Sequence, residues 1–356
     1  GFTMGEAVHE TAAATWQRQD HLFGDVLERD ARDTAFVEVT ARGAAGRQTW
    51  VAGAAYERDA FTPKDVPRFA YTFDVPGLFV QDDIDVASWM SVSASARVDF
   101  HSEYGTFFSP RLALLFRRDG WTSRLSAAQG FFASTPLTEE TEAAGLSRLD
   151  VIRPLEAERG RTASLDLTRT TEAGSFTVTL FASRVDDPVG VDRDEAYVLF
   201  NRARASTNTG VELLGTWRHG PFAATSSYTY VRSREESDGD LRETPLTPAH
   251  SAGLVGMWEP EGVGRVGIEV YYTGRQRLEV NPYRDSSVPY VIVGALVERR
   301  FGRVRLFLNA ENLTDVRQTR WDPLVRPTRG ADGRWTVDGW APLDGRVFNG
   351  GVRLEF

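Results

Sequence analysis

Apolar and polar residues alternate with a period of two along most of the chain. In residues 90–100, every even position is apolar and every odd position is serine or a charged residue. Residues 264–272 and 303–310 follow the same period. An amphipathic helix would instead repeat its apolar residues every three or four positions, and no long segment does so. The pattern therefore predicts an antiparallel all-β protein.

The connections between the predicted strands are of two kinds. Short turns are expected near residues 43–46, 87–88, 118–120, 171–174, 219–220, 259–262 and 300–302. Long polar connections are expected at about 61–76, 101–107, 132–160, 187–205, 233–247, 275–287 and 314–345. Outer-membrane barrels sort their connections in this way, with tight periplasmic turns and long extracellular loops. The strict alternation of the two kinds predicts a transmembrane antiparallel up-and-down β-barrel.

Counting the strands around these turns gives about sixteen. Fourteen flank the seven short turns, and segments near 5–18 and 346–356 add one at each end. Strands of about ten residues suit a tilted crossing of a hydrocarbon layer. The segment Glu195 to Asn201 is expected to add a short hairpin inside a long connection.

Five tryptophans lie at or beside the predicted short turns or strand ends: Trp50, Trp89, Trp121, Trp217 and Trp258. Tryptophan and tyrosine concentrate at membrane interfaces, where one part of the ring is apolar and the other is hydrated. The positions therefore predict an aromatic girdle at the short-turn ends. Ordinary hairpin aromatics are the alternative interpretation.

Composition narrows the class of protein further. The longest clean apolar run, Tyr290 to Val297, is too short for a membrane-spanning helix, which needs about 20 residues. A mean hydropathy of −0.33 is compatible with barrel strands, whose two faces average to a soluble-like value. The net charge of −9 argues against a general nucleic-acid surface. The absence of cysteine excludes disulfides and thiol catalysis within these residues.

Motifs that would indicate enzymatic chemistry are weak. Residues 262–267 spell G-x-G-x-x-G, but they join two predicted strands, whereas a dinucleotide site needs a helix after the glycines. The five histidines form no H-E-x-x-H pair, and no G-x-S-x-G is present. Acidic residues at 192–195 and 235–240 could hold Ca²⁺, although solvated loop charge is the favoured interpretation. The sequence thus predicts no catalytic residue, no cofactor and no metal site.

Candidate ligand contacts concentrate in two of the long connections. Between residues 317 and 334, five arginines stand against two aspartates, and tryptophans lie at 321, 335 and 340. Guanidinium groups and indole rings suit an anionic or aromatic ligand. The candidates are Arg275, Arg277, Tyr283, Arg284, Arg317, Arg320, Trp321, Arg326, Arg329, Arg334, Trp335 and Trp340. The alternative is that these residues bind lipopolysaccharide phosphates or brace neighbouring loops.

The end of the chain alternates apolar and polar residues up to a final phenylalanine. Phe348, Val352, Leu354 and Phe356 resemble the closing-strand signal that the outer-membrane barrel assembly machinery reads. A β protein whose last residue completes an alternating strand in this way is uncommon. The terminus is therefore a predicted membrane-assembly signal.

The chain also resembles the TonB-dependent outer-membrane receptors, over about residues 77–356. The resemblance is carried by S-P-R-L-A at 109–113, G-F-F-A-S-T-P at 130–136, N-T-G-V-E at 208–212, L-T-P-A-H at 246–250 and N-A-E-N-L-T-D at 309–315. Each motif alone is weak, but their order along the chain is specific. The Lys-Pro pair that receptors carry in an L-K-P-E-R element is missing at 155–159.

The resemblance implies a receptor in the outer membrane of a Gram-negative bacterium that performs no bond chemistry. Its ligand is expected to be a scarce metal chelate, most commonly a ferric siderophore with Fe³⁺ as cargo, and its energy source the TonB–ExbB–ExbD complex. Cobalamin or another chelate is the alternative ligand. A passive sixteen-stranded porin and a barrel-scaffolded enzyme or adhesin are the alternative functions.

Family members carry a 22-stranded barrel preceded by a plug domain. Against that pattern, residues 1–356 are expected to form a single barrel domain that lacks the plug, the TonB box and about six strands. The partners implied are TonB, through those missing parts, the assembly machinery, lipopolysaccharide and the extracellular chelate. Nucleic acid is not among them.

Overall fold

The computed structural model describes residues 7–138, 141–142, 145–152, 154–192, 197–237, 239–279, 281–330 and 334–355. These residues include twenty strands and three short 3₁₀ helices, at Pro67–Phe69, Leu146–Arg148 and Gln318–Arg320. No helix among them is long and apolar enough to cross a membrane. The chain divides into two compact units, which are described separately. The first comprises Gly1–Arg117, Arg124–Ser164 and Ser183–Ser206, and the second comprises Arg118–Ser123, Leu165–Ala182 and Thr207–Phe356.

The first unit is built on a meander of antiparallel strands in which each strand pairs with the next along the chain. These strands are β1 (Ala7–Phe23), β2 (Val26–Ala45), β3 (Gln48–Pro63), β4 (Tyr71–Ala87), β5 (Met90–His101) and β6 (Gly105–Arg118). A small separate sheet joins β8 (Leu149–Ile152), β11 (Val189–Asp192) and β12 (Tyr197–Asn201). Three further strands have residues in both units: β7 (Trp121–Phe132), β9 (Glu158–Thr171) and β10 (Gly174–Asp186).

The second unit contains a second antiparallel meander. Its strands are β13 (Ser206–His219), β14 (Phe222–Ser237), β15 (Asp240–Glu243), β16 (His250–Trp258), β17 (Gly264–Thr273), β18 (Tyr290–Phe301), β19 (Val304–Glu311) and β20 (Val347–Leu354). The short strand β15 pairs only with the outer end of β14, and β14 then pairs with β16. From β16 to β20 each strand pairs with its successor.

The predicted number of strands is confirmed. Sixteen of the twenty described strands have eight residues or more, and the other four are short strands within the long connections. The hairpin expected near Glu195–Asn201 is present as the antiparallel pair β11 and β12, although residues 193–196 between them lie outside the described residues. The G-x-G-x-x-G residues form the turn into β17, as the sequence pattern favoured.

The prediction is wrong at the first hairpin. It placed strands near 5–18 and 34–42, whereas β1 and β2 continue to a tight turn at Gly24 and Asp25, with Gly24 at a φ of +64°. The outer half of this hairpin carries charged residues on both faces, so the alternation that reveals a membrane strand fades there. Connection lengths therefore do not alternate strictly, because residues 24–25 and 102–104 are short connections at the ends where the long ones lie.

Each meander has an apolar and a polar face. In β4, Leu78 and Val80 are at least half exposed, while Phe79 between them lies on the opposite face. In β20, the three described residues of the predicted assembly signal share the exposed face: Phe348, Val352 and Leu354. Phe356 lies outside the described residues. Rows of exposed aliphatic side chains would be unfavourable in water, and contact with lipid accounts for them.

Aromatic residues border the apolar face at both ends of the strands. Trp89, Trp121, Trp217 and Trp258 are exposed at the short-turn ends, as predicted, whereas Trp50 is half-buried over Gly43. A second row at the opposite ends was not predicted; it includes Trp16, Phe100, Phe108, Phe132, Tyr230, Tyr272 and Phe348. Along β7 the two rows are eleven residues apart, from Trp121 to Phe132, which is roughly 36 Å at 3.3 Å per residue. For a strand tilted by about 45° this length corresponds to about 26 Å across the membrane. This spacing fits the apolar band of about 25 Å in outer-membrane barrels.

Several strand glycines lie directly beneath an aromatic ring of the neighbouring strand. Gly53 pairs with Phe79 and Gly351 pairs with Phe307, and in both cases the ring occupies the space that a Cβ would need. An aromatic ring that covers a strand glycine shields the backbone and fixes the register of the two strands.

We expect Gly53→Ala to destabilise the sheet by about 1–3 kcal/mol, the usual cost of overpacking. A Cβ at this position would lie 2.5 Å from the Phe79 ring and 2.5 Å from the Val39 carbonyl oxygen. The unfolding midpoint in urea, followed by the heat-dependent shift of electrophoretic mobility, measures the effect. Gly130→Ala is the control, because no atom lies within 4 Å of its added Cβ. Equal midpoints for the two variants would contradict the packing explanation.

Candidate ligand-binding site

All twelve candidate residues lie in two connections of the second unit, 274–289 after β17 and 312–346 after β19. The first is a narrow hairpin, in which the Leu278 N–H donates to the Asp285 carbonyl at 2.9 Å. The second contains its own hairpin, in which the Arg326 N–H donates to the Trp335 carbonyl at 2.7 Å. Residues 331–333 at the tip of that hairpin lie outside the described residues.

Gln318 ties the two halves of connection 312–346 together. The residue is completely buried, and its backbone N–H donates to the Pro342 carbonyl at 2.8 Å. Its side-chain amide donates to the Asp338 carbonyl at 2.7 Å and accepts the Trp340 and Ala341 N–H groups at 2.9 and 3.3 Å. Because every one of these polar groups is paired, burial of the amide carries no unsatisfied desolvation cost. The connection is thus held by a polar centre.

The N-L-T-D motif has a structural role at the start of this connection. Asn312 is buried and adopts a φ of +49°, a left-handed conformation that asparagine tolerates. Its side chain donates to the Val316 and Asp344 carbonyls at 2.8 and 3.0 Å and accepts the Val316 N–H at 2.9 Å. The motif therefore turns the chain out of β19 and fastens the far end of the connection to the near end.

Asp315, the last residue of that motif, gathers two of the candidate arginines. Arg317 approaches its carboxylate at 3.1 Å, Arg320 also contacts it, and the Arg346 N–H donates to it at 3.3 Å. Burial by itself opposes ionisation, but the Arg346 N–H and the three arginine charges outweigh it, so the pKa of Asp315 is lowered from its ordinary value. The predicted excess of positive charge is reduced, because Asp315 lies just before the counted window.

A buried ion pair joins the two connections. Arg284 binds Asp322 at 2.7 Å, and the Asp322 side chain is only 1% exposed. The Arg284 guanidinium also lies over the buried Trp340 ring, which in turn contacts Trp321. Nearby, the Tyr283 hydroxyl donates to the Val325 carbonyl at 2.7 Å. Arg284 and Trp340 therefore brace the two connections against each other.

Arg277 braces a third connection. Its guanidinium donates to the Glu243 carbonyl at 3.0 Å and to the Ser237 hydroxyl at 3.1 Å. The Leu246 N–H donates to the Arg277 carbonyl at 2.9 Å. This arginine thus holds the segment beyond β15 against connection 274–289.

The candidates fall into three groups. Five residues are braced within the loops: Arg277, Arg284, Arg317, Arg320 and Trp340. Four residues are exposed: Arg275, Tyr283, Arg329 and Trp335. Trp321, Arg326 and Arg334 are half-buried. Among the described residues, the Arg275 side chain has no hydrogen-bond or ion-pair partner, and Trp335 is 54% exposed. Arg275 and Trp335 are therefore the members best placed to meet a ligand.

Sequence reasoning missed Gln318, Asp322 and Gln276, the buried polar residues that organise the site. An amide or carboxylate in a polar segment carries no periodicity, so no sequence signal distinguishes it from a solvated residue. No group of three or more His, Asp or Glu side chains within the described ranges could hold a metal ion. Of the two acidic segments considered for Ca²⁺, residues 193–195 and 238 lie outside those ranges.

Comparison with known proteins supports the fold on independent grounds. Residues 6–313 match the family model described as TonB dependent receptor-like, beta-barrel. Among curated proteins, none matches the chain significantly.

Solved structures match nearly the whole chain at low identity. A variant of the ferric enterobactin receptor PfeA from Pseudomonas aeruginosa, in complex with enterobactin, is 16% identical with a TM-score of 0.70, covering 99% of this chain and 63% of its own. The siderophore receptor PirA from Acinetobacter baumannii is 13% identical (TM-score 0.71; 99% and 60%). The FrpB iron transporter from Neisseria meningitidis is 11% identical (TM-score 0.72; 98% and 61%). The chain thus spans about 60% of the length of the receptors it matches, and at these identities the likeness shows the fold alone.

We expect Asp322→Asn to loosen the contact between the two connections by about 3 kcal/mol, because it leaves Arg284 without its buried counter-charge. Hydrogen exchange of peptides from 313–346 would rise, while exchange of the β18 peptides would stay unchanged. Asp344→Asn is the control, because this aspartate in the same connection is exposed and contributes only its backbone carbonyl to Asn312. Equal exchange in the two variants would show that the ion pair does not brace the site.

Proposed function

The chain belongs to the TonB-dependent receptor-like β-barrel family, and from this premise we propose that it is the barrel of a receptor for TonB-energised uptake of a scarce extracellular ligand. The family consists of outer-membrane proteins of Gram-negative bacteria that transport and do not catalyse bond chemistry. The observation that carries the proposal is the family match over residues 6–313. Two exposed aromatic rows bordering an apolar face support the same membrane placement.

A ferric siderophore is the ligand class we propose. The support comes from the chemistry of the second unit's loops, where the Arg275 guanidinium and the Trp335 indole are exposed to solvent, as are Tyr283 and Arg329. Ferric siderophore complexes present anionic oxygen atoms and, in many cases, aromatic rings, which suit guanidinium and indole groups. The braced arginines would supply positive potential and a fixed frame without direct contact.

Preorganised loops would make uptake depend on two states of the receptor. Tight binding to fixed loops favours capture from dilute solution, since little ordering entropy is lost on binding. Release then requires a second state with lower affinity, and a ligand shifts an equilibrium only through its different affinities for the two states. We propose that TonB, acting through parts of the receptor outside these residues, supplies the energy for that change.

Growth of a strain lacking this gene tests the ligand class. Iron-starved cells would be supplied with one ferric siderophore at a time, and cobalamin would be tested in a separate arm. We expect loss of growth on at least one ferric siderophore, restored by the complete gene and abolished again when tonB is deleted. Growth that is indifferent to tonB would contradict active uptake, and a defect confined to cobalamin would contradict the siderophore class.

We expect Arg275→Ala and Trp335→Ala, in the complete receptor, each to weaken binding of the supported siderophore about tenfold, or about 1.4 kcal/mol. Both side chains are exposed, so their removal leaves the bracing contacts intact. Titration of the ligand against whole cells measures the affinity. Arg118→Ala is the control, because this arginine is similarly exposed but lies at a short turn. Unchanged affinity in both variants would remove these two residues from the ligand site.

A further inference from the structure

The long connections of the first unit form a folded body with its own apolar core. This body, here called the cap, consists of the described residues of 64–70, 133–157 and 187–205. Its core contains Phe69, Leu146, Leu149, Tyr197 and Leu199, packed on Phe61 at the outer end of β3. Leu149 and Leu199 are completely buried. A core of this kind is unusual for surface loops, whose side chains are normally solvated.

Backbone pairing and polar contacts join the three segments of the cap. Strand β12 pairs with β11 on one side and, in parallel, with β8 on the other. The Arg68 guanidinium donates to the Leu149 carbonyl at 2.6 Å. The Asn201 side chain donates to the Asp187 carbonyl at 2.6 Å and accepts the Glu156 N–H at 2.8 Å. These contacts indicate that the three segments behave as one body.

One carboxylate of the main sheet holds this body. Glu28 lies near the outer end of β2 and is buried, with 6% of its surface exposed. One of its oxygens accepts the Leu146 N–H at 2.8 Å, and the other accepts the Ser147 N–H at 2.7 Å. Both donors belong to the 3₁₀ helix that leads directly into β8. Hydrogen bonds from neutral N–H groups to a buried charged acceptor are among the stronger ones in proteins.

The backbone before the two donors leaves room for this carboxylate. Gly145 precedes the two donors and has a φ of +91°, and a Cβ there would lie 2.6 Å from a Glu28 oxygen. On the opposite face of β2, the adjacent Arg29 binds Asp65 of the cap through two contacts at 2.7 and 3.1 Å. Hydrogen bonds from the Arg29 side chain and backbone lower the pKa of Asp65 to about 2. Glu28 and Arg29, neighbours in β2, thus form hydrogen bonds with two different segments of the cap.

We propose that Glu28 is a positioning residue that latches the cap in one place over the outer strand ends of the first unit, so that the cap is a preordered, ligand-contacting surface carried by that unit. Only the assignment of the cap to the ligand surface rests on the proposed receptor function; the role of Glu28 in holding the cap does not. The β1–β2 hairpin supports the cap. Its strands have 17 and 20 residues, and this length brings Glu28 within hydrogen-bonding distance of the cap. Loss of either carboxylate oxygen of Glu28 as an acceptor releases the 3₁₀ helix Leu146–Arg148, which leads into β8.

A single reporter cysteine tests the latch in the complete protein, because these residues contain no natural cysteine. Leu149→Cys places a thiol in the fully buried core of the cap, where a maleimide reaches it only when the cap opens. On that background, Glu28→Gln replaces one acceptor oxygen by an NH₂ donor that faces a backbone donor. We expect labelling to accelerate at least tenfold. Glu172→Gln, at a short turn, is the control and should leave the rate unchanged.

Gly145→Ala provides a second route to the same result, because the added Cβ displaces the carboxylate while Glu28 itself is retained. Both variants must keep the heat-dependent mobility shift of the folded barrel, and either one suffices if the other fails to fold. Labelling as slow as in the Leu149→Cys parent would overturn the latch.

The affinity for the siderophore identified by growth tests the second half of the proposal. Glu28→Gln without the reporter cysteine should weaken binding at least threefold, mainly through faster dissociation. Accelerated labelling with unchanged affinity would overturn the assignment of the cap to the ligand surface. If no ferric siderophore supports growth, the proposed function fails, but the labelling rates still decide whether Glu28 is the latch.

Discussion

Backbone hydrogen bonding in hydrocarbon is the constraint on which the rest of this structure depends. An unpaired N–H or C=O group in lipid costs several kcal/mol, so each strand must be paired along its length. The antiparallel pairings from β1 to β6 and from β16 to β20 meet that requirement. Pairing fixes which residues share a face, and the period of two then places aliphatic side chains on one face and polar ones on the other. The aromatic rows mark where this constraint ends.

Beyond those rows the chain is free of the constraint, and the two units order their long connections by different physical means. In the first unit, apolar side chains such as Leu149 and Leu199 build a small core, and Glu28 and Arg29 attach it to β2. In the second unit, buried polar side chains such as Gln318 and Asn312 bind backbone groups of distant segments. Both solutions pair the buried polar groups that join distant segments, and this pairing permits long connections to be ordered without regular structure.

Ion pairs within the loops also reduce the number of arginines in the second unit that can contact a ligand. A count of charges along residues 317–334 indicates a cationic surface, yet Arg317 and Arg320 form ion pairs with Asp315, just before that segment. The ion pairs of these arginines therefore stabilise the loops themselves. Arg275 and Trp335, the residues proposed for recognition, are exposed and belong to the same two connections that the braced residues order. Affinity in such a surface depends on preorganisation as much as on the contacts themselves.

The sequence by itself determined the fold class, the sixteen long strands and the membrane-facing residues, because these follow from local periodicity: Leu78 and Val80, or Val352 and Leu354, alternate whatever their partners are. The order of the weak motifs between residues 109 and 315 also indicated the family. Only the tertiary structure decided which polar residues are buried, since Glu28 and Gln318 receive their partners from segments up to 119 residues away or across an irregular loop. It likewise decided the length of the β1–β2 hairpin, whose outer half is polar on both faces. Local pattern reports the environment of a strand, whereas long-range hydrogen bonding has no local signature.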